Sequence, residues 1–185
     1  MGKRLFVSVD LDGLADEVRR VQDPLADLPG VDTVGPERVH VTLKFLGDVE
    51  VPRLPGVSDA IARAVESADV GPFETNFEEY GVFPSLDYIS VVWVGVDEGS
   101  AELAHLHEAV ERETTAIGFD TEDHDFTPHA TVARVRDARS KAEVQDLVRE
   151  ADPTLGRLRV EEVRLTESTL TDDGPVYETV ESFPL

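Results

Sequence analysis

His40-Val41-Thr42-Leu43-Lys44-Phe45-Leu46-Gly47 is answered, 89 residues later, by His129-Ala130-Thr131-Val132-Ala133-Arg134-Val135. Each run opens with His-x-Thr and continues through β-branched and apolar residues, so each predicts a strand. Five histidines and 13 threonines in 185 residues give roughly 0.35 such pairs by chance, so two of them carry information. On a strand, residues i and i+2 share a face about 6.6 Å apart. His40 with Thr42, and His129 with Thr131, are therefore expected to project together, while Leu43, Phe45 and Val132 turn into the core. Lys44 has the parity of His40 and Thr42. Arg134 has the parity of Val132, and reaches the histidine face only if the strand bulges or the side chain passes around its end.

Leu5, Val7, Val9 and Leu11 alternate as a first strand, and a helix over Leu14 to Gln22 is expected to break at Pro24 and Pro29-Gly30. Val57, Ala60, Ile61, Ala64, Val65 and Ala68 recur at helical spacing after the second strand. Phe73 to Val82 reads as a less regular strand, and Ile89 to Val96 as one buried on both faces. Leu103, Leu106, Val110 and Ile117 mark a third helix, and Ser140-Lys141-Ala142-Glu143 has the capping-box pattern of a fourth. Leu158 to Leu170 and Val176 to Phe183 predict a hairpin around Asp172-Asp173-Gly174-Pro175. The order is β-α-β-α-β twice, plus a final strand over 176–183. A single α+β domain over 1–185 is expected, built from duplicated halves of roughly 4–82 and 88–170 as two similar lobes about a pseudo-twofold axis.

Two such strands facing one another would gather two imidazoles and two hydroxyls around one polar cavity. That set suits a phosphodiester: an imidazolium protonates a leaving oxygen, a neutral imidazole takes a proton from water, and the hydroxyls hold the non-bridging oxygens. Histidine supplies both protonation states near neutral pH. The other three histidines are ordinary by comparison. His105 and His107, two apart on a helix, point to different sides, with His107 at the edge of the apolar face, and His124 sits in an acidic loop. No tight His/Asp spacing marks a metal site, and with no cysteine there is neither disulfide nor thiolate chemistry.

The run from His40 to Gly47, together with Phe126-Thr127-Pro128-His129-Ala130-Thr131-Val132-Ala133-Arg134, resembles the two motifs of the 2H phosphoesterases, most closely their RNA 2′,3′-cyclic phosphodiesterase (LigT-like) branch. Gly81-Val82-Phe83-Pro84, the strand through Trp93 and the opening Arg4-Leu5-Phe6-Val7 fit that branch too. The resemblance implies mainly antiparallel sheets lining a central groove with helices outside. It also implies no metal or other cofactor, and opening of a terminal RNA 2′,3′-cyclic phosphate to a 2′-phosphate. His40 would then be the proton donor and His129 the proton acceptor, with Thr42, Thr131 and Arg134 at the phosphate; Lys44, on the motif strand, is a further candidate. The partner expected is an RNA end or a small cyclic-phosphate nucleotide, bound by a monomer. The other readings are a non-catalytic nucleotide or RNA-end binding module on the same groove, and a 2′-5′ RNA ligase.

Thirty-nine Asp and Glu against 17 Lys and Arg give a formal net charge of −22, and only three of the basic residues are lysines. Such a surface opposes long nucleic-acid tracts, whose phosphates are bound through Lys and Arg. No run nears the roughly 20 apolar residues that span a bilayer, and the start is too short an apolar run for a secretory signal, so a cytoplasmic protein is expected. The acidic residues are spread over the whole chain, as in proteins of salt-loaded cytoplasm, where at about 1 M salt the screening length falls to about 3 Å. Thermal unfolding measured in dilute buffer and in molar potassium chloride is expected to show a marked gain in stability with salt; equal midpoints would refute a halophilic origin for the charge.

Overall fold

The computed structural model describes residues 2–185, which form nine strands and four α-helices. In chain order these are β1 (Gly2–Asp10), α1 (Ala15–Ala26), β2 (Val31–Thr33), β3 (His40–Glu50), α2 (Leu54–Ala68), β4 (Phe73–Pro84), β5 (Ile89–Val96), α3 (Ser100–Ala116), β6 (His129–Val135), α4 (Lys141–Glu150), β7 (Thr154–Val160), β8 (Glu162–Thr171) and β9 (Gly174–Pro184). No helix among the described residues is long and apolar enough to cross a membrane.

The strands make one sheet in the order β7-β4-β5-β6-β3-β1-β8-β9, with β2 beside β6, and every pairing is antiparallel. Reading outward from the middle, β3-β1-β8-β9 mirrors β6-β5-β4-β7, which is the two-lobed symmetry the repeat predicts. The ladder that joins the lobes has a single paired residue on each side, Val41 with Ala130. Each of these follows a motif histidine, so the pseudo-twofold axis runs between the two His-x-Thr segments.

The lobes in space are not the halves in sequence. β4 belongs to the first half but pairs with β5, and β8 belongs to the second half but pairs with β1. The helices cross over as well: α1 packs on β2, β6 and β7, whereas α3 packs on β3 and α2. Neither half can close its own core, because the helix and strand that would cover it come from the other. Val18, Val21 and Leu25 of α1, and Leu103, Leu106 and Val110 of α3, are all buried in one continuous cluster with the strands.

Several local expectations change. Pro24 lies inside α1, near its C-terminal end, where the helix still completes a turn and Pro24 itself stays exposed. The region 158–170 is not one strand: β7 ends at Val160 and pairs with β4, and β8 starts at Glu162 and forms the hairpin with β9. Ser140 caps no amide; its hydroxyl donates to Pro29 O at 2.7 Å, tying the start of α4 to the turn after α1. β5 is buried on one face only, with Ser90, Val91, Trp93 and Gly95 half-buried on the other or at its rim.

A β-bulge interrupts each motif strand at the same place. In β3, Val7 pairs with Lys44 and Ser8 with Thr42, leaving Leu43 extra. In β6, Val92 pairs with Ala133 and Trp93 with Thr131, leaving Val132 extra. Both bulges fall three residues after the histidine, and each reverses the alternation of the residues that follow, in β3 as far as a second irregularity at Leu46. In each, a side chain from a crossed-over helix bonds the carbonyl of the extra residue. Gln22 Nε2 of α1 donates to Val132 O (3.0 Å) and to Val34 O (2.6 Å), and His107 Nδ1 of α3 bonds Leu43 O at 2.8 Å. Gln22→Ala removes the donor shared by two carbonyls and is expected to cost about 1–3 kcal/mol, seen as a lower urea midpoint at unchanged slope.

Candidate active site

The bulges decide which residues reach the groove. Before them, His40 and Thr42, and His129 and Thr131, are half-buried on one face, while Val41, Leu43, Ala130 and Val132 are buried on the other. Extending the Val41–Ala130 register one step each way sets His40 opposite Thr131 and Thr42 opposite His129. The four motif residues thus gather across the pseudo-twofold axis.

Beyond the bulges the parity flips. Arg134 is exposed on the histidine side, and its side chain makes no ion pair or hydrogen bond among the described residues. Its field is felt at His40. Lys44 moves the opposite way: it is 1% exposed, with Nζ 2.9 Å from Asp120 O and 3.0 Å from a Glu111 carboxylate oxygen on the helix side of the sheet. Lys44 therefore leaves the candidate site. Phe45, expected in the core, is 67% exposed and stands near Phe6 (6.2 Å between ring centroids). His107 is not at an edge but buried, with its ring stacked on Phe126 at 4.2 Å.

The two imidazoles are held alike. His40 Nδ1 is 2.7 Å from Arg38 O, and His129 Nδ1 is 2.6 Å from Thr127 O, in each case the carbonyl two residues earlier. A carbonyl can only accept, so each ring carries its proton on Nδ1 when neutral and turns Nε2 toward the groove. His40 Nε2 is 2.9 Å from the Thr42 hydroxyl; His129 Nε2 has no partner among the described residues. Aromatic rings fix both. Phe6 stacks on His40 (4.8 Å) and Tyr177 meets it edge-on (5.5 Å); Phe83 meets His129 edge-on (5.0 Å) and Trp93 lies 5.7 Å away. Trp93 crosses directly over Gly81, where a Cβ would lie 2.1 Å from the indole. Phe83 and Trp93 lie in the run and the strand that fit the family branch, but the sequence does not mark them as neighbours of His129, and Tyr177, on the largely exposed β9, has no such signal.

The symmetry breaks at the residue opposite each histidine. Asp10 pairs with His40, whereas Gly95 pairs with His129. The Asp10 carboxylate accepts from Ser8 Oγ (2.8 Å) and Arg164 Nη1 (2.7 Å), which fixes it beside His40. Beside His40 there opens a cavity of about 330 Å³ whose walls include Phe6, Arg38, Thr166 and Tyr177.

Burial lowers the pKa of both imidazoles below the usual 6.5, more than the backbone carbonyls at Arg38 and Thr127 raise it; Asp10 adds an upward pull at His40, opposed by His129 and Arg134. NMR titration of the free protein is therefore expected to place both histidines below 6.5. In the window between each folded value and 6.5 the unfolded chain binds the extra proton, so stability rises with pH across it and falls with acid. Urea midpoints compared between pH 5 and pH 7 check the sign.

The chain matches the 2′-5′ RNA ligase superfamily over residues 10–172. It is 39% identical to an RNA 2′,3′-cyclic phosphodiesterase of Methanothermobacter thermautotrophicus, with all of both chains covered. It is 36% identical to the protein of that name from Archaeoglobus fulgidus, covering 97% of this chain and 99% of the other. Among solved structures, a Thermus thermophilus protein superposes with a TM-score of 0.80 at 26% identity, covering 98% of this chain and 97% of that one. E. coli LigT, crystallised with 3′-AMP, shares the fold with a TM-score of 0.81 at 20% identity over 100% and 99% of the two chains.

Proposed function

This chain belongs to the 2′-5′ RNA ligase superfamily, and we propose that it hydrolyses the 2′,3′-cyclic phosphate at an RNA end, or on a small nucleotide, to a 2′-phosphomonoester. The observation that carries this reading is the pair of imidazoles across one axis. Both are fixed through Nδ1 on a carbonyl, both turn Nε2 to the same groove, and each has a threonine hydroxyl two residues on.

Water attacks phosphorus, the P–O3′ bond breaks, and the proton lost by water is balanced by one delivered to O3′. We assign the delivery to His40 and the uptake to His129. The asymmetry of the opposing strand supports that choice: the Asp10 carboxylate favours an imidazolium at His40, and no carboxylate stands opposite His129. Thr42 and Thr131 are placed to donate to non-bridging oxygens, and the unpaired guanidinium of Arg134 offers a two-pronged contact to them. The cavity beside His40, with Phe6 and Tyr177 in its walls, gives room for the nucleoside. A 5′-hydroxyl in place of water would yield a 2′-5′ linkage by the same proton transfers, which is the ligase reading suggested by the superfamily's name.

Because the productive state pairs one protonated with one neutral imidazole, and both pKa values lie below 6.5 in the free protein, kcat/KM is expected to follow a bell with its optimum on the acid side of 6.5. His40→Ala or His129→Ala is expected to lower turnover of a nucleoside 2′,3′-cyclic phosphate by roughly 10²–10⁴, with EDTA leaving the wild-type rate unchanged. A 3′-phosphate product would reverse the leaving group, and wild-type rates in either variant would remove that residue from its role.

A further inference from the structure

The Lys44 site on the helix side of the sheet belongs to no step above, yet its side chain is fully buried and reaches two partners. The Lys44 ammonium meets Asp120 O at 2.9 Å and a Glu111 carboxylate oxygen at 3.0 Å. The other Glu111 oxygen accepts the Glu122 amide at 2.9 Å. Four residues before Glu111 on the same face of α3, His107 bonds the bulge carbonyl of Leu43 and stacks its ring flat on Phe126, with 7° between the planes. Burial pushes the Glu111 carboxyl up, but the Lys44 ammonium and the Glu122 amide outweigh it and hold the carboxyl below its usual range.

His107, Glu111 and Glu122 bring their ligand atoms within 4.8 Å of one another, as a metal site would. Here the cation among them is the Lys44 ammonium, and His107 Nδ1 is already committed to Leu43 O. A different role fits better. Asp120, Glu122 and Phe126 all lie on the segment 117–128 that joins α3 to the second motif strand; Arg53 holds its start, donating to Ile117 O and lying over the Phe119 ring, and beyond Asp120 the residues Thr121 and 123–125 are exposed. Its far end supplies Thr127 O, the carbonyl that holds His129.

We propose that Lys44, Glu111 and His107 form a buried clamp that positions His129, fixing its Nδ1–H tautomer by anchoring the 117–128 segment from the bulge of the first motif strand. Lys44 and His107 are positioning residues, not catalytic ones. The first motif thereby holds the second: the bulge that removes Lys44 from the groove is what aims it at the segment leading to His129. The clamp rests on the reading of His129 as the proton acceptor for its catalytic consequence, but its structural claim does not.

The test separates the two. Lys44→Met/Glu111→Gln removes both charges together, so that neither is left buried alone, and Phe126→Ala breaks the stack while leaving every charge in place. In each folded variant, ¹⁵N imidazole shifts are expected to show His129 passing from one tautomer to a mixture while His40, held by Arg38 O and Thr42, keeps its own. On a nucleoside 2′,3′-cyclic phosphate, kcat is expected to fall on the order of tenfold or more, with KM within about twofold. A His129 that keeps one tautomer in the folded variants overturns the clamp, as does equal loss of order at both histidines. If the double variant does not fold, Phe126→Ala decides by the same two criteria. Tautomer mixing at His129 with no change in kcat would uphold the clamp and instead refute the role of His129 in turnover.

Discussion

Two backbone carbonyls, Leu43 O and Val132 O, set the geometry on which the rest depends. Each belongs to the extra residue of a bulge, where a strand carbonyl loses its regular place in the ladder and must find another donor. Leu43 O finds His107 and Val132 O finds Gln22 together with the Val34 amide. Those two side chains come from α3 and α1, the helices that cross to the opposite lobe. The crossing is therefore more than a way to share a core. It puts a polar side chain from one half of the sequence under the motif of the other, so a correctly bulged motif exists only when both halves have folded together.

The pseudo-symmetry makes the departures from it informative. Counted from each histidine, Lys44 corresponds to Ala133 and Phe45 to Arg134; across the ladder, Asp10 corresponds to Gly95. One side of the groove thus has a carboxylate next to its imidazole and an aromatic ring beyond the bulge. The other has a bare glycine and a free guanidinium. A symmetric site would give two imidazoles of equal basicity, either of which could serve as the acid, and unequal surroundings favour one assignment over the other. The pseudo-symmetric frame supplies two similar mounts, and the different residues at three paired positions make the mounts differ.

Much of this is legible in the order of residues. The two His-x-Thr runs, the helices over 54–68 and 100–116 and the closing hairpin follow from local periodicity, which depends only on neighbours a few positions apart. The bulges are harder. Val132-Ala133 is a doublet of small apolar residues in which the alternation visibly stumbles, and it leaves Arg134 with two alternatives that the structure resolves as a bulge. At Leu43-Lys44 the stumble is masked, because a lysine conforms to a polar position on an unbroken strand while its ammonium is in fact satisfied 76 residues away at Asp120. The exchange of β4 and β8 between lobes leaves no local trace at all, since it concerns which edge a strand joins and not whether it is a strand. Ser140 shows the same limit at smaller scale: the pattern of a cap is present, and its hydroxyl goes to Pro29 instead.

The net charge of −22 acquires a definite role at the groove. With both imidazoles predominantly neutral above 6.5, Arg134 is a permanent cation facing the site with no protein anion to satisfy it. A cyclic phosphodiester brings one negative charge, which one guanidinium and one imidazolium can hold against the acidic surroundings. By the proposed proton transfers, opening the ring passes one positive charge from His40 to His129 and makes a monoester that carries about −1.5 to −2 at neutral pH. The added charge meets no added cation in the site and the same excess of carboxylates outside it. The acidity that discourages a long nucleic-acid tract from docking therefore favours release of the product from an end-group site, and the same electrostatics serve both the choice of substrate and turnover.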